Sequence, residues 1–407
     1  MKTTIVGFGA IGAAVMLSCC TRDADPRSPR APRHAASAQV AEAIRGEGPE
    51  HRFCGYIHAY EGPVPADLGV EAFAEHAADF DAIHPKWWRV QAAAEIVNHP
   101  IDDPAPFMGF HDARVLDHTT YRGQRTRLIP MVQATSLHDR AVIHALIHDP
   151  ALRAAHVRAL VDLAVTNRYD GLDLDYEHLS SEVPAGQGLA GERAAFTALA
   201  NDLAAALHSA GKTLSFAVPA LTSAGSVYDF DALSTAADQL HVMAYDYHYS
   251  GAGHAGPTAP LGWVRDSIAY IGTIDGGRRA DRFILGLPNY GIFGAPGGVS
   301  HDCEPLSRCL ELLNGCGSYA TTTDELTTCP DQGGRSGEGI ECGRSPNALL
   351  ASGERLYFED LASLEEKVEA AAEGGLGGIG YWSVGGEPED PSGRTFFAMV
   401  RGRFPRR

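Results

Sequence analysis

Eight short apolar runs alternate with amphipathic helical stretches, and this alternation constrains the fold more than any other feature of the chain. The candidate strands are Phe53–Ala59, Ala82–Val90 (interrupted at Pro85), Arg127–Gln133, Gly171–Tyr176, Thr213–Pro219, Gln239–Tyr245, Phe283–Pro288 and Gly377–Trp382. Helical periodicity predicts Ala151–Val165, Glu192–Ser209 and Leu361–Ala372 between them. A helix between two strands returns the chain across the sheet, so successive strands run parallel. Eight such units predict an α/β fold, a closed (β/α)8 TIM barrel, with its working groups at the carboxyl ends of the strands. The rival is an open doubly wound sheet, which would carry a glycine-rich phosphate loop after its first strand. FCGYIHAYEG is not such a loop, and the fingerprint-like GFGAIG lies within the first 20 residues.

Those 20 residues have one Lys, an apolar stretch and then small residues, the layout of an export signal. Met16-Leu17-Ser18-Cys19-Cys20 resembles a bacterial lipobox, in which Cys19 or Cys20 would become the lipidated first residue. Residues 21–50, rich in Pro, Ala and Arg, predict a flexible linker, which leaves 51–407 for the barrel. The expected setting is the bacterial cell envelope, periplasmic or on the surface, with membrane contact only through the lipid anchor. An excess of 51 acidic over 33 basic residues, a net charge of −18, argues against a nucleic-acid partner.

The densest chemistry lies in Tyr169–Glu177, YDGLDLDYE. Side chains alternate faces along a strand, so Asp173, Asp175 and Glu177 share one face while Leu172, Leu174 and Tyr176 share the other. The apolar set suits the helix layer, which turns the acids into the barrel. Three stacked carboxylates cannot all be ionised cheaply, so at least one is expected to hold a proton at neutral pH. Glu177, the outermost, is best placed to act as that acid. Asp170 has the wrong parity and is expected to brace the start of the strand. A calcium loop of the EF-hand type is excluded, because Gly at its sixth position and Glu at its twelfth are missing from both Asp170 and Asp173.

DGLDLDYE resembles the fourth-strand signature of glycoside hydrolase family 18, the chitinase-like barrels. Met243-Ala244-Tyr245-Asp246 is similar to that family's sixth-strand motif, FILGLPNYG to its seventh strand, and GGIGYW to its eighth, ending in Trp382. The likeness spans about residues 52–386 and is nearest to the branch of bacterial spore-cortex-lytic and related peptidoglycan N-acetylglucosaminidases. On the third strand, where chitinase-type members carry Ser-x-Gly-Gly, this chain reads LIPMVQAT.

The resemblance implies hydrolysis of β-linked N-acetylglucosamine glycans, peptidoglycan or chitin oligosaccharides, by substrate-assisted retaining catalysis. Glu177 would be the general acid, and Asp175 would hold the acetamido N–H of the substrate. Asp173 would tune both, and Tyr245 would bind the acetamido oxygen. Asp246, Trp382, Met243 and Tyr56 would bind the sugar. The same barrel could serve as a non-catalytic lectin or as an endo-β-N-acetylglucosaminidase on N-glycans. Trp87 and Trp88 fit either sugar stacking or packing against helices. No cofactor is implied, and the 18 histidines, His241, His248 and His254 among them, show no HExxH or other tight ligand spacing, so no metal is read. A Cys-rich insertion at about 295–350, between strands 7 and 8, holds Cys303, Cys309, Cys316, Cys329 and Cys342. In an exported protein these predict two disulfides with one cysteine left over, the pairing open, and Cys54 a buried thiol.

Overall fold

The computed structural model describes residues 53–57, 68–98, 111–295, 298–304, 309, 345–350, 352–388 and 392–406. The export signal, both lipidation candidates, the linker, Cys316, Cys329 and Cys342 lie outside them. The strands are β1 (Phe53–Ile57), β2 (Ala82–Ala92), β3 (Met131–Ala134), β4 (Gly171–Tyr176), β5 (Thr213–Pro219), β6 (Gln239–Met243), β7 (Phe283–Pro288) and β8 (Gly378–Trp382). Each pairs in parallel with the next. The ring closes where β8 meets β1, with Phe53 opposite Ile379 and Cys54 opposite Gly380. This is the expected eight-stranded barrel.

The prolines in β2 and β3 act differently from the sequence expectation. Pro85 does not interrupt β2; it sits opposite Ile57, and a register shift between Lys86 and Trp88 absorbs the irregularity. The break falls instead at Pro130, which has no N–H for the ladder. Arg127–Leu128 forms a separate pairing with β2, and the strand resumes at Met131. The sixth strand stops at Met243, two residues early, because Ala244 turns back to hydrogen-bond the Val242 carbonyl at 2.8 Å.

Helices α1 (Leu68–His76), α2 (Leu137–His148), α3 (Pro150–Thr166), α4 (Ala190–Ser209), α5 (Phe230–Ala236), α6 (Leu261–Thr273), α7 (Leu361–Glu373) and α8 (Phe396–Arg403) surround the ring. Their starts are written into the sequence. Ser136 and Asp139 form a capping box on α2, Asp149 caps α3 ahead of Pro150, and Asp360 with Ser363 boxes α7. The outward face of β4 meets this layer: Leu172 and Leu174 are fully buried, and the Tyr176 hydroxyl lies 2.7 Å from His156 Nε2 on α3. Burying each leucine contributes about 2 kcal/mol. At Gly377 a Cβ would come within 1.9 Å of the Asp281 carbonyl oxygen, so only glycine fits the approach to β8.

A second sheet stands between β7 and β8. Its antiparallel order is His301–Cys303, Gly291–Gly294, Arg355–Tyr357, Asn347–Leu349. Cys303 and Cys309 are joined as a disulfide inside a small cluster with Ala348 and Leu356, and Cys54 is a free buried thiol.

Candidate active site

The acidic face of β4 points into the barrel and climbs to its mouth. Asp173 is fully buried, Asp175 is 6% exposed, and the Glu177 side chain is 30% exposed where the strand ends. Asp173 accepts a hydrogen bond from the Tyr56 hydroxyl at 3.1 Å and another from Ser215 at 2.5 Å. Ser215 stands directly opposite it on β5. His84 Nδ1 lies 3.8 Å from the same carboxylate. Asp170 sits outside the column, accepting from the Leu128 N–H at 2.7 Å and from the Thr120 hydroxyl.

Burial dominates the electrostatics. It pushes the Asp173 carboxyl up to about 6, even though Ser215 and Tyr56 favour the charged form. Asp175 is held well above the usual carboxylate range by burial and by the neighbouring Glu177 charge. Glu177 is also raised by burial, and the charges of Lys86 and Arg140 pull it back down. Asp175 and Glu177 stand two residues apart on the same face of β4, and each acts on the other's titration. Both carboxyls are thus raised together, and the pair holds a proton more readily than two free carboxyls would.

The rim gathers the remaining candidates. Tyr245, just past β6, is half-buried, and burial holds its phenol protonated. Asp246 has a left-handed backbone, φ 60°, and accepts from Tyr290, whose hydroxyl in turn accepts from Thr258. Desolvation, followed by the charges of Glu177, Glu304 and Asp302, raises the Asp246 carboxyl to about 6 against the Tyr290 hydrogen bond. Met243 and Trp382 are half-buried at the ends of β6 and β8. Tyr56, expected on the sugar-facing surface, is only 4% exposed and gives its hydroxyl to Asp173, 5.8 Å below the Trp382 ring, so it supports the column from beneath. Trp87 is 1% exposed and packs against His111 and Tyr169; Trp88 donates to the Tyr169 hydroxyl. Both belong to packing.

Three contributors escape the sequence reading. Lys86 places its ammonium 5.7 Å from the Trp382 ring centroid, and its charge acts on Asp175 and Glu177. Period-two alternation from His84 would have found it had the strand not been broken at Pro85. Ser215 is visible only through strand register. Asn289, fully buried, holds the segment after β8: its side-chain amide donates to the carbonyls of Ser383 and Gly385, each at 2.7 Å. Its backbone N–H reaches the Trp382 carbonyl at 2.6 Å.

Two groups of metal-capable side chains exist among the described residues. Cys54, His84 and His241 lie beneath the carboxylates, and His144, His148 and Glu192 lie outside the barrel; within each group the donor atoms are within 4.8 Å of one another.

The model of glycosyl hydrolases family 18 matches residues 138–387. YdhD of Bacillus subtilis (strain 168), which carries the name of a sporulation-specific glycosylase, is 26% identical over 290 residues, 67% of this chain and 61% of that protein. Mouse chitotriosidase-1 is 29% identical over 261 residues, 56% of this chain and 52% of its own length. The chain thus spans less than two thirds of either relative. The crystal structure of a chitinase from Chromobacterium violaceum superposes with a TM-score of 0.66 at 22% identity, covering 88% of this chain and all of that one.

Proposed function

The chain belongs to the glycosyl hydrolases of family 18, and from that premise we propose that it cleaves β-linked N-acetylglucosamine glycans, peptidoglycan or chitin oligosaccharides, with Glu177 as general acid. The observation that carries this reading is the acidic column of β4: Asp173, Asp175 and Glu177 rise at alternate positions on one face of a single strand. Carboxyl groups that work from opposite faces of a sugar stand about 5–5.5 Å apart in retaining enzymes and about 6.5–9.5 Å apart in inverting ones. Asp175 and Glu177 rise from one face of the same strand, so they approach a bound ring from one side and neither stands across it from the other. The nucleophile must then come from the substrate, as its acetamido oxygen.

The sequence of events begins as the acetamido N–H of the sugar binds the Asp175 carboxylate while Glu177 holds the proton. Glu177 then donates it to the glycosidic oxygen as the C1–O bond breaks and the acetamido oxygen bonds to C1. The Asp175 carboxylate balances the positive charge on the resulting ring, and Tyr245 donates to the acetamido oxygen. Water next attacks C1, the ring opens, and Glu177 takes the water's proton. Asp246 binds a sugar hydroxyl, and Trp382 and Met243 form the apolar wall beneath the ring. A lectin-like barrel would have no use for this acid pair. The envelope lipoprotein reading of Cys19 or Cys20 belongs to the same proposal, with detergent-phase partitioning lost in the Cys19→Ser/Cys20→Ser variant as its check.

The test is release of chromophore from an aryl N-acetylglucosamine oligomer, alongside cleavage of purified peptidoglycan. E177Q should lose about 1,000-fold or more in kcat, within the range general acids supply. Equal rates for wild type and variant would reject the assigned acid.

A further inference from the structure

Outside the barrel, α2 and the first turn of α4 bring together three side chains that the proposed hydrolysis does not use. His144 and His148 stand four residues apart on α2, hence on one helical face, with ring centroids 4.8 Å apart. Glu192 faces them from α4, its side chain only 2% exposed. Its two oxygens are divided between the rings: Oε1 lies 3.0 Å from His144 Nδ1, and Oε2 lies 2.7 Å from His148 Nε2. The sequence hides this group because the histidines carry no HExxH signature and the carboxylate arrives from 44 residues further along.

We propose that His144, His148 and Glu192 bind a divalent transition metal of the zinc class. A carboxylate this deeply buried needs compensation. Two neutral imidazoles can offer it hydrogen bonds; a dication coordinated by all three groups also balances its charge. The donor set, two imidazole nitrogens and one carboxylate oxygen, is one that Zn2+ and Co2+ accept. In a tetrahedral shell with bonds near 2.1 Å, neighbouring donors stand about 3.4 Å apart. Here each imidazole nitrogen already lies 3.0 or 2.7 Å from one of the two Glu192 oxygens, and a set of one donor atom per residue lies within 4.8 Å. A fourth position is free for water, because the group opens on a cavity of about 260 Å³ rimmed by Val183, Pro184 and Gln187.

The metal would join the end of α2 to the start of α4. The loop that leads from β4 into α4, residues 177–189, begins at Glu177 and runs through the turn Leu179–Glu182. The proposal does not rest on the assigned hydrolysis, since binding is read without substrate.

The experiment is calorimetric titration of the full chain with ZnCl2, repeated with CoCl2 to read the visible d–d absorption of the bound ion. The wild type should take one Zn2+ at these residues and give the tetrahedral Co2+ band. His144→Ala and His148→Ala should each weaken that event by at least about 100-fold, since losing a ligand costs more than losing its outer-shell support. Both rings are about one-third or more exposed, so both variants are expected to fold, with circular dichroism as the check. Glu192→Gln supplies the third arm. Absence of Zn2+ uptake at about 0.1 mM by the wild type overturns the site. So does uptake with undiminished affinity by a folded His144→Ala/His148→Ala variant, which would place the ion at the cysteines.

Discussion

The Tyr56 hydroxyl on β1 donates to the Asp173 carboxylate on β4 at 3.1 Å, spanning the interior of the barrel. With Ser215 it stabilises the ionised form, yet burial outweighs both and the carboxyl titrates at about 6. The innermost acid of the column is therefore held at a cost to stability, as functional sites often are.

That cost fixes the sign of a pH effect. An unfolded aspartate titrates near 3.9, so the Asp173 contribution is fully favourable below about pH 4 and is lost as pH rises through about 6. The shift corresponds to about 3 kcal/mol at pH 7. Measured by denaturant unfolding, D173N should gain about that much relative to the wild type between pH 4 and pH 7. A constant difference across that range would mean that the folded carboxyl titrates like a free one.

Lys86 lowers the pKa of both Asp175 and Glu177. K86M removes that charge, so the acid keeps its proton to higher pH. The alkaline limb of the kcat profile should move upward, while the far-ultraviolet dichroism stays that of the wild type. An unmoved limb would exclude Lys86 from tuning the pair.

Gly286 tests how tightly Tyr245 is located. A Cβ there would lie 2.7 Å from the Val242 carbonyl oxygen and 3.2 Å from Tyr245 Cε1. G286A should cost about 1–3 kcal/mol in stability and displace the phenol, lowering kcat about tenfold or more. Full activity would show that Tyr245 does not need this placement.

How much of this was legible depended on local rules. β4 was read to the residue, because strict alternation leaves one register in which Leu172, Leu174 and Tyr176 face the helices. β5 and β7 were read as accurately, each being an apolar run closed by a proline. Pro85 and Pro130 look alike in sequence; which one breaks its strand depends on a bulge that only pairing reveals. The misplaced break also concealed Lys86. Tyr56 could be placed on a strand, but whether its ring met sugar or protein was decided by Asp173 opposite, a long-range fact. The histidine–glutamate group needed two helices to be docked before it existed at all.

The four-stranded sheet at 291–357 shares no strand with the ring. Its outer strands, His301–Cys303 and Asn347–Leu349, occupy opposite edges, so the chain between them departs from one side and returns on the other. Length gained or lost in that span shifts no pairing among β1 to β8. A change of length there leaves the strand that carries Asp173, Asp175 and Glu177 in its place and register.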